Sequence, residues 1–183
     1  MARAFARRDL KVQTFKVGPD FLDPTCLARA SGRPCYNLDS WMAGTDHCLR
    51  LFARAAADAD CALVEGAMGL FDGADAESAE GSTAEIARLL DAPVILIASV
   101  HGMGRSFAAL VQGYATFEAG LHFAGIVANR CGSERHAAWL SDSLRAAGLP
   151  PFLGAILASY THLHYASQPA AVARFLERCG GTP

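Results

Sequence analysis

Lysine is scarce in this sequence: of 16 basic residues only Lys11 and Lys16 are lysines, and the rest are arginine. No run of like charges occurs and the net charge is −2, so the basic footprint that grips nucleic acid or an anionic membrane surface is missing. The six cysteines, Cys26, Cys35, Cys48, Cys61, Cys131 and Cys179, form no C-x-x-C pair. That spacing argues against a zinc knuckle, and the lack of a secretory context against a disulfide framework; reduced thiols in a cytoplasm are the simplest account. The longest apolar run, APVILIASV, is too short to span a bilayer, and arginines interrupt the short apolar patch of MARAFARRDL as no signal peptide would allow. Neither a G-x-S-x-G elbow nor a paired cysteine and histidine marks nucleophilic catalysis. Internal repeats, linkers and low-complexity tracts are absent too. At 183 residues, 52% of them hydrophobic, the chain suits one compact α/β domain, 1–183, with small-molecule chemistry.

Short apolar runs recur at 12–17, 61–66, 92–99, 123–130 and 152–157. Each is rich in Val, Ile, Leu or Phe and too short for a long helix, which predicts strands buried on both faces. Helical spacing fills the intervals. TDHCLRLFARAAADAD opens on Thr45 as an N-cap and sets Leu49, Phe52 and Ala56 on one face. GSTAEIARLLDAP offers Ser82 or Thr83 as a cap, with Glu85 early and Pro93 at its close; GRSFAALVQGYATFEAG and SERHAAWLSDSLRAAGLP follow the same grammar. A short terminal helix is expected in AAVARFLERC. The alternation predicts a mostly parallel sheet with helices on both faces, and ligands then gather at the carboxyl ends of the strands.

Three polar clusters follow strands. In KVGPDFLDP, Gly18 and Pro19 turn the chain, and Asp20 and Asp23 fall on one face of a following helical turn, beside Lys16. Two carboxylates with one lysine suit a metal–phosphate site; the same aspartates could simply cap a short helix. EGAMGLFDG puts Glu65 at a strand end, where it needs a cationic partner, and follows it with Gly66, Gly69 and Gly73, whose backbone can approach a ligand; an ordinary connecting loop would look the same. Asn129 and Arg130 end a later strand; the Asn amide can read a base edge or serve as a turn residue. GRPCYNLDSWM joins a turn, Asx candidates Asn37 and Asp39, and Trp41 as a core or site aromatic. His162 and His164 have the spacing of a metal pair without a third ligand, which favours a solvated loop; His47, His101, His122 and His136 stand alone.

FKVGPDFLDP, GRPCYNLDSWM, EGAMGLFDG, GSTAEIARLLDAPVILI and GIVANR, in that order, resemble the synthetase domain of cobyrinic (or hydrogenobyrinic) acid a,c-diamide synthases over about residues 5 to 157. The resemblance implies a dethiobiotin synthetase-like P-loop fold. It also implies a cobalamin-pathway ligase in which ATP and Mg²⁺ activate the a- and c-acetate carboxylates of the corrin ring as acyl phosphates, and ammonia from glutamine then forms the amides. Carried over, Lys16, Asp20, Asp23 and Glu65 are catalytic, with Asp20 and Glu65 on the metal. Asn129 and Arg130 lie on the nucleotide side, and Asn37, Asp39, Trp41, Gly69, Asp72 and Ser82 on the substrate side. Several features depart from that family. The strand and the G-x-x-x-x-G-K-[ST] loop that open the fold have no counterpart, the chain starting within the helix that follows them, so a central sheet edge should lie open to self-association. No glutamine amidotransferase domain follows, Leu27 replaces a family histidine, and the tail beyond Ala158 leaves the pattern. The expected isolated chain is therefore a weakly active or inactive fragment. Cobyric acid synthase, a dethiobiotin synthetase-like enzyme and a non-catalytic corrinoid- or partner-binding domain are the alternatives.

Overall fold

A computed structural model describes residues 1–157; His162, His164 and the expected terminal helix lie outside the described residues. The chain falls into two compact units, Met1–Ala92 and Pro93–Pro183.

The first unit runs α1 (Ala2–Ala6), β1 (Val12–Val17), α2 (Asp23–Ser31), β2 (Tyr36–Leu38), α3 (Ser40–Ala43), α4 (Thr45–Ala56), β3 (Cys61–Glu65) and α5 (Thr83–Leu89). Its sheet is parallel with the order β2-β1-β3. The central β1 is buried along its whole length, as its unbroken VQTFKV run demands. Alternate residues divide its faces. Phe15 and Val17 join Leu38, Cys48, Leu51 and Ile86 in a core that draws in Phe52, Ala55 and Ala56 of α4. Thr14, pointing the other way, meets Ser31 at the end of α2, oxygen to oxygen at 3.5 Å. Lys16 shares the Thr14 face by the two-residue period of a strand, which turns its side chain from the apolar core toward α2. Gln13 is buried but satisfied: its Nε2 donates to Pro34 O (2.7 Å) and its Oε1 accepts from Arg33 Nε (3.1 Å).

Two helix expectations shift. Gly44, at φ 81°, holds the N-cap position of α4 and Thr45 is its first residue. The buried stripe is Cys48 and Leu51 with Phe52, Ala55 and Ala56, a repeat of three and four. Leu49 falls one position outside it and is exposed. Strand β2 was hidden within GRPCYNLDSWM, because three residues are too few to show a period.

The second unit runs β4 (Val94–Ser99), α6 (Ser106–Phe117), β5 (Phe123–Cys131), α7 (Glu134–Ala146) and β6 (Phe152–Leu157). Its parallel sheet has the order β4-β5-β6. Both sheets agree with the expected α/β class. Burial on both faces holds for the two central strands over most of their length, but not for β3 and β4, each paired on one side only among the described residues. Ile97 of β4 is half exposed for that reason.

Within the second sheet, Gly125 of β5 lies against buried Leu153 of β6, and a Cβ placed there would fall inside contact distance of the leucine side chain. Gly125→Ala is expected to lower unfolding free energy by about 1–3 kcal/mol through overpacking. Denaturant titration should show a reduced midpoint at unchanged slope, with most of the loss absent in a Leu153→Ala background.

Candidate active site

The parallel register sets Lys16 of β1 beside Glu65 of β3, near or at the carboxyl ends of their strands. Neighbours in register share a face, so the two side chains meet: Lys16 Nζ lies 3.1 Å from Glu65 Oε1. The same ammonium reaches Asp23 Oδ2 at 2.9 Å and donates to Gly66 O at 2.9 Å. Its three hydrogens therefore have three acceptors, which a buried ammonium requires. The cation is only 5% exposed, whereas the carboxylate side chains of Asp23 and Glu65 are 44% and 47% exposed. The cluster is sealed on its positive side and open to solvent on its negative side. Burial, the largest single influence on Lys16, draws its pKa down, but the hydrogen bonds and charges of Asp23 and Glu65 together outweigh it and hold the ammonium above its ordinary value. The hydrogen bond and charge of Lys16 in turn hold Asp23 below the usual carboxylate range.

The turn from β1 into α2 sets Asp23 in place. Gly18 takes φ 78°, a conformation in which a side chain would be strained, and its N–H donates to Leu38 O at 3.0 Å. Asn37 donates both amide hydrogens to this turn, at 2.7 Å to Gly18 O and 2.6 Å to Asp20 O. Asp20 Oδ1 accepts from the backbone N–H groups of Leu22 (2.7 Å) and Asp23 (3.0 Å), satisfying orphan donors at the start of α2, where the N-cap Leu22 has no side-chain acceptor. The expectation that Asp20 and Asp23 share a helical face is thus corrected: Asp23 opens the helix and Asp20 caps it from the preceding turn. The capping reading holds for Asp20, while Asp23 pairs with Lys16.

The glycine loop after β3 is held by its own neighbours. Thr83 Oγ1 accepts from Ala67 N at 3.1 Å, and Asp72 Oδ2 accepts from Gly69 N at 2.7 Å. A Cβ on Gly66 would sit 2.8 Å from the Thr83 side chain, and one on Gly69 2.6 Å from Asp72 Oδ2. The glycines make room for the protein's own atoms, where the sequence suggested room for a ligand. Ser82 is fully buried and caps α5 by accepting from Glu85 N at 3.1 Å, so its hydroxyl has a folding role. Asp39 likewise caps α3, accepting from Met42 N at 2.9 Å. Trp41 is 64% exposed. Glu85, which sequence reasoning noted only as an early helix acid, receives both Ser40 Oγ and Gly81 N, the latter at 2.7 Å, and so ties α3 to the loop that precedes α5. Its partner Ser40 lies 45 residues away, beyond any local signal.

Asn129 and Arg130 belong to the second unit. Asn129 O accepts from Val100 N, and its Oδ1 accepts from Arg130 N, each at 2.9 Å, while Arg130 takes φ 61°. The acceptor half of the amide is thereby engaged in a turn, and the donor half has no partner among the described residues. His136 is less isolated than its sequence position suggests. Its Nδ1 accepts from Gly132 N (3.2 Å), which makes Nε2 the donor to Met103 O (2.6 Å). Among the described residues no group of three or more His, Cys, Asp or Glu side chains is arranged to hold a metal ion, and no helix is long and apolar enough to cross a membrane.

A lysine and two carboxylates gathered at parallel strand tips, in a chain with this order of loops, coincide with a family match: residues 1–161 fit the CobQ/CobB/MinD/ParA nucleotide binding domain. The chain belongs to that family. Similar proteins include a cobyrinate a,c-diamide synthase of Syntrophotalea carbinolica, 64% identical over 86% of this chain and 34% of that protein. A hydrogenobyrinate a,c-diamide synthase of Stutzerimonas stutzeri is 49% identical over 79% of the chain and 32% of its own length. A cobyrinate a,c-diamide synthase of Dehalococcoides mccartyi is 43% identical over 86% and 34%. The chain spans about a third of the length of these relatives.

Because Lys16 is what depresses Asp23, Lys16→Met should return the Asp23 carboxyl to the ordinary range. Carboxyl carbon NMR titration is expected to show the Asp23 midpoint rising. The linkage has a definite sign. A depressed carboxylate contributes stability above its unfolded pKa and loses it as pH falls through the folded value, so the native chain should lose more stability on acidification than Lys16→Met does.

Proposed function

We propose that this chain is the acid-activating part of a cobyrinate or hydrogenobyrinate a,c-diamide synthase, a glutamine-dependent amide ligase of cobalamin biosynthesis working in the cytoplasm. The observation that carries this reading is the Lys16–Asp23–Glu65 cluster, one buried cation bridging two half-open carboxylates. ATP would supply the phosphoryl group that turns an acetate carboxylate of the corrin ring into a displaceable acyl phosphate, and an amidotransferase partner would supply ammonia from glutamine.

The residues fit part of this chemistry. Asp23 Oδ1 and Glu65 Oε2 lie outside the Lys16 contacts, at half-exposed groups. Mg²⁺ takes one or two carboxylates and keeps several waters, so this pair suits it. Asp20, the other acidic residue proposed for metal, already caps α2 through Oδ1. With its three hydrogens held by Asp23, Glu65 and Gly66 O, the Lys16 ammonium would offset negative charge beside the two carboxylates through space and not by direct contact. The Asn129 amide nitrogen, without a partner among the described residues, would donate to an adenine edge. The triphosphate fits less well at the glycine loop after β3, which is packed by Thr83 and Asp72. That packing favours a second reading, a corrinoid-binding domain without ATP affinity.

Equilibrium binding of cobyrinic acid to the purified chain, with and without Mg²⁺, tests the proposal. The native chain should bind more tightly with Mg²⁺, and Glu65→Gln should abolish that gain, about tenfold for the loss of one charged ligand. Equal affinity for cobyrinic acid a,c-diamide, whose target carboxylates are already amides, would overturn the assignment. ATP binding in the same titrations separates the ligase from the second reading. Diamide formation from ATP and ammonia is expected near background, since the glycine loop after β3 is filled by Thr83 and Asp72; robust turnover would overturn that expectation.

A further inference from the structure

The sequence offers Ser82 or Thr83 as the cap of α5, and Ser82 takes that place, accepting from Glu85 N at 3.1 Å. The Thr83 hydroxyl is thereby left for another task. It reaches the loop after β3, accepting from Ala67 N–H at 3.1 Å and donating to Ala67 O at 3.4 Å. Ala67 N–H belongs to the same peptide unit as Gly66 C=O, and that oxygen accepts from Lys16 Nζ at 2.9 Å. In a trans peptide the two groups point in opposite directions. The Gly66–Ala67 peptide is therefore held by a hydroxyl at one end and an ammonium at the other. Thr83 also leans on the Gly66 backbone, where a Cβ would fall 2.8 Å from its Oγ1 and Cγ2. Its own backbone opens α5 directly after the fully buried Ser82.

We propose that Thr83 is a positioning residue of the charged centre: by fixing the Gly66–Ala67 peptide it keeps the third hydrogen of Lys16 on a backbone carbonyl and leaves the outward oxygens of Asp23 and Glu65 to a divalent cation. This rests on the Mg²⁺ reading above and goes beyond it by naming the residue that keeps the carboxylate pair open to the metal. The argument is one of competing acceptors. The ammonium is 5% exposed and needs three of them. With the peptide as it stands, they are Asp23 Oδ2, Glu65 Oε1 and Gly66 O. Were the peptide to turn over, a backbone N–H would face a group that has no acceptor to offer it, and the third hydrogen would go to a further oxygen of the same two carboxylates. Those are the oxygens a cation would use. Gly66 itself does little to oppose such a turn, because it carries no side chain. The restraint comes from outside the loop, from a hydroxyl 16 residues beyond Ala67.

Mg²⁺ alone is the probe, followed through the carboxyl carbon resonances of Asp23 and Glu65 in the full chain. Thr83→Val keeps the shape and the contact with Gly66 but lacks the hydroxyl. It should weaken Mg²⁺ binding about three- to tenfold, the range of one neutral hydrogen bond, and speed hydrogen exchange at the Ala67 amide. Thr83→Ser, which retains the hydroxyl, should restore both. In a Lys16→Met background no ammonium competes for the carboxylates, so Thr83→Val should cause no further loss of affinity. A merely structural role would not give that pattern, since a loosened α5 would weaken binding in either background. Unchanged Mg²⁺ affinity in Thr83→Val, or an equal loss in the Lys16→Met background, would overturn the role of Thr83 and leave the Mg²⁺ reading standing. Carboxyl resonances of the native chain that do not respond to Mg²⁺ would overturn both. The native chain also carries a check that needs no substitution: an Ala67 amide exchanging as fast as exposed loop amides would show the peptide unrestrained and overturn the proposal.

Discussion

A lysine ammonium placed 5% exposed at the tip of the most buried strand is the constraint around which the first unit is arranged. An ammonium so placed loses its water and must recover three hydrogen bonds and an opposing charge from the protein. Glu65 meets part of that need because β1 and β3 are in register there, Asp23 because α2 begins where it does, and Gly66 O because the loop after β3 turns back over the strand end. Each of those three elements is thereby held to the same point. The open sides of the two carboxylates are what the cluster offers to the solvent.

Around this point polar side chains are committed to holding loops. Asp20, Asn37, Asp39 and Ser82, candidates for substrate or metal in the sequence, each make hydrogen bonds that fasten a turn or cap a helix, and Glu85, an early helix acid in the sequence, ties α3 to the loop before α5. That allocation leaves Asp23 and Glu65 as the acidic groups joined through Lys16 and lets exposed Trp41 and Met68 stand on fastened loops. Preorganisation of this kind keeps the charged groups in one geometry before any ligand arrives.

The second unit shows the same pattern at the end of β5. Asn129 closes a turn with its own oxygen and its amide nitrogen has no partner among the described residues, while His136 joins Gly132 to Met103. Family membership fits this picture of loops at strand ends, and the chain spans about a third of the length of the relatives it matches.

Much of the fold was legible in the sequence because strand and helix signals are local. VQTFKV, CALVE and VILIAS read as strands from composition alone, and Ser82 and Glu85 mark the start of α5 from a spacing of three. The end of the first strand, with Lys16 and its acidic neighbours, was legible for the same reason. What tertiary structure alone decided were relations across long stretches of chain: Lys16 with Glu65 at a separation of 49 residues, Ser40 with Glu85 at 45, and the difference between Asp23, which reaches the ammonium, and Asp20, which caps a helix. Side-chain type and short-range period are written in neighbouring residues. Strand register and the direction in which a carboxylate finally points arise only when distant segments are packed together.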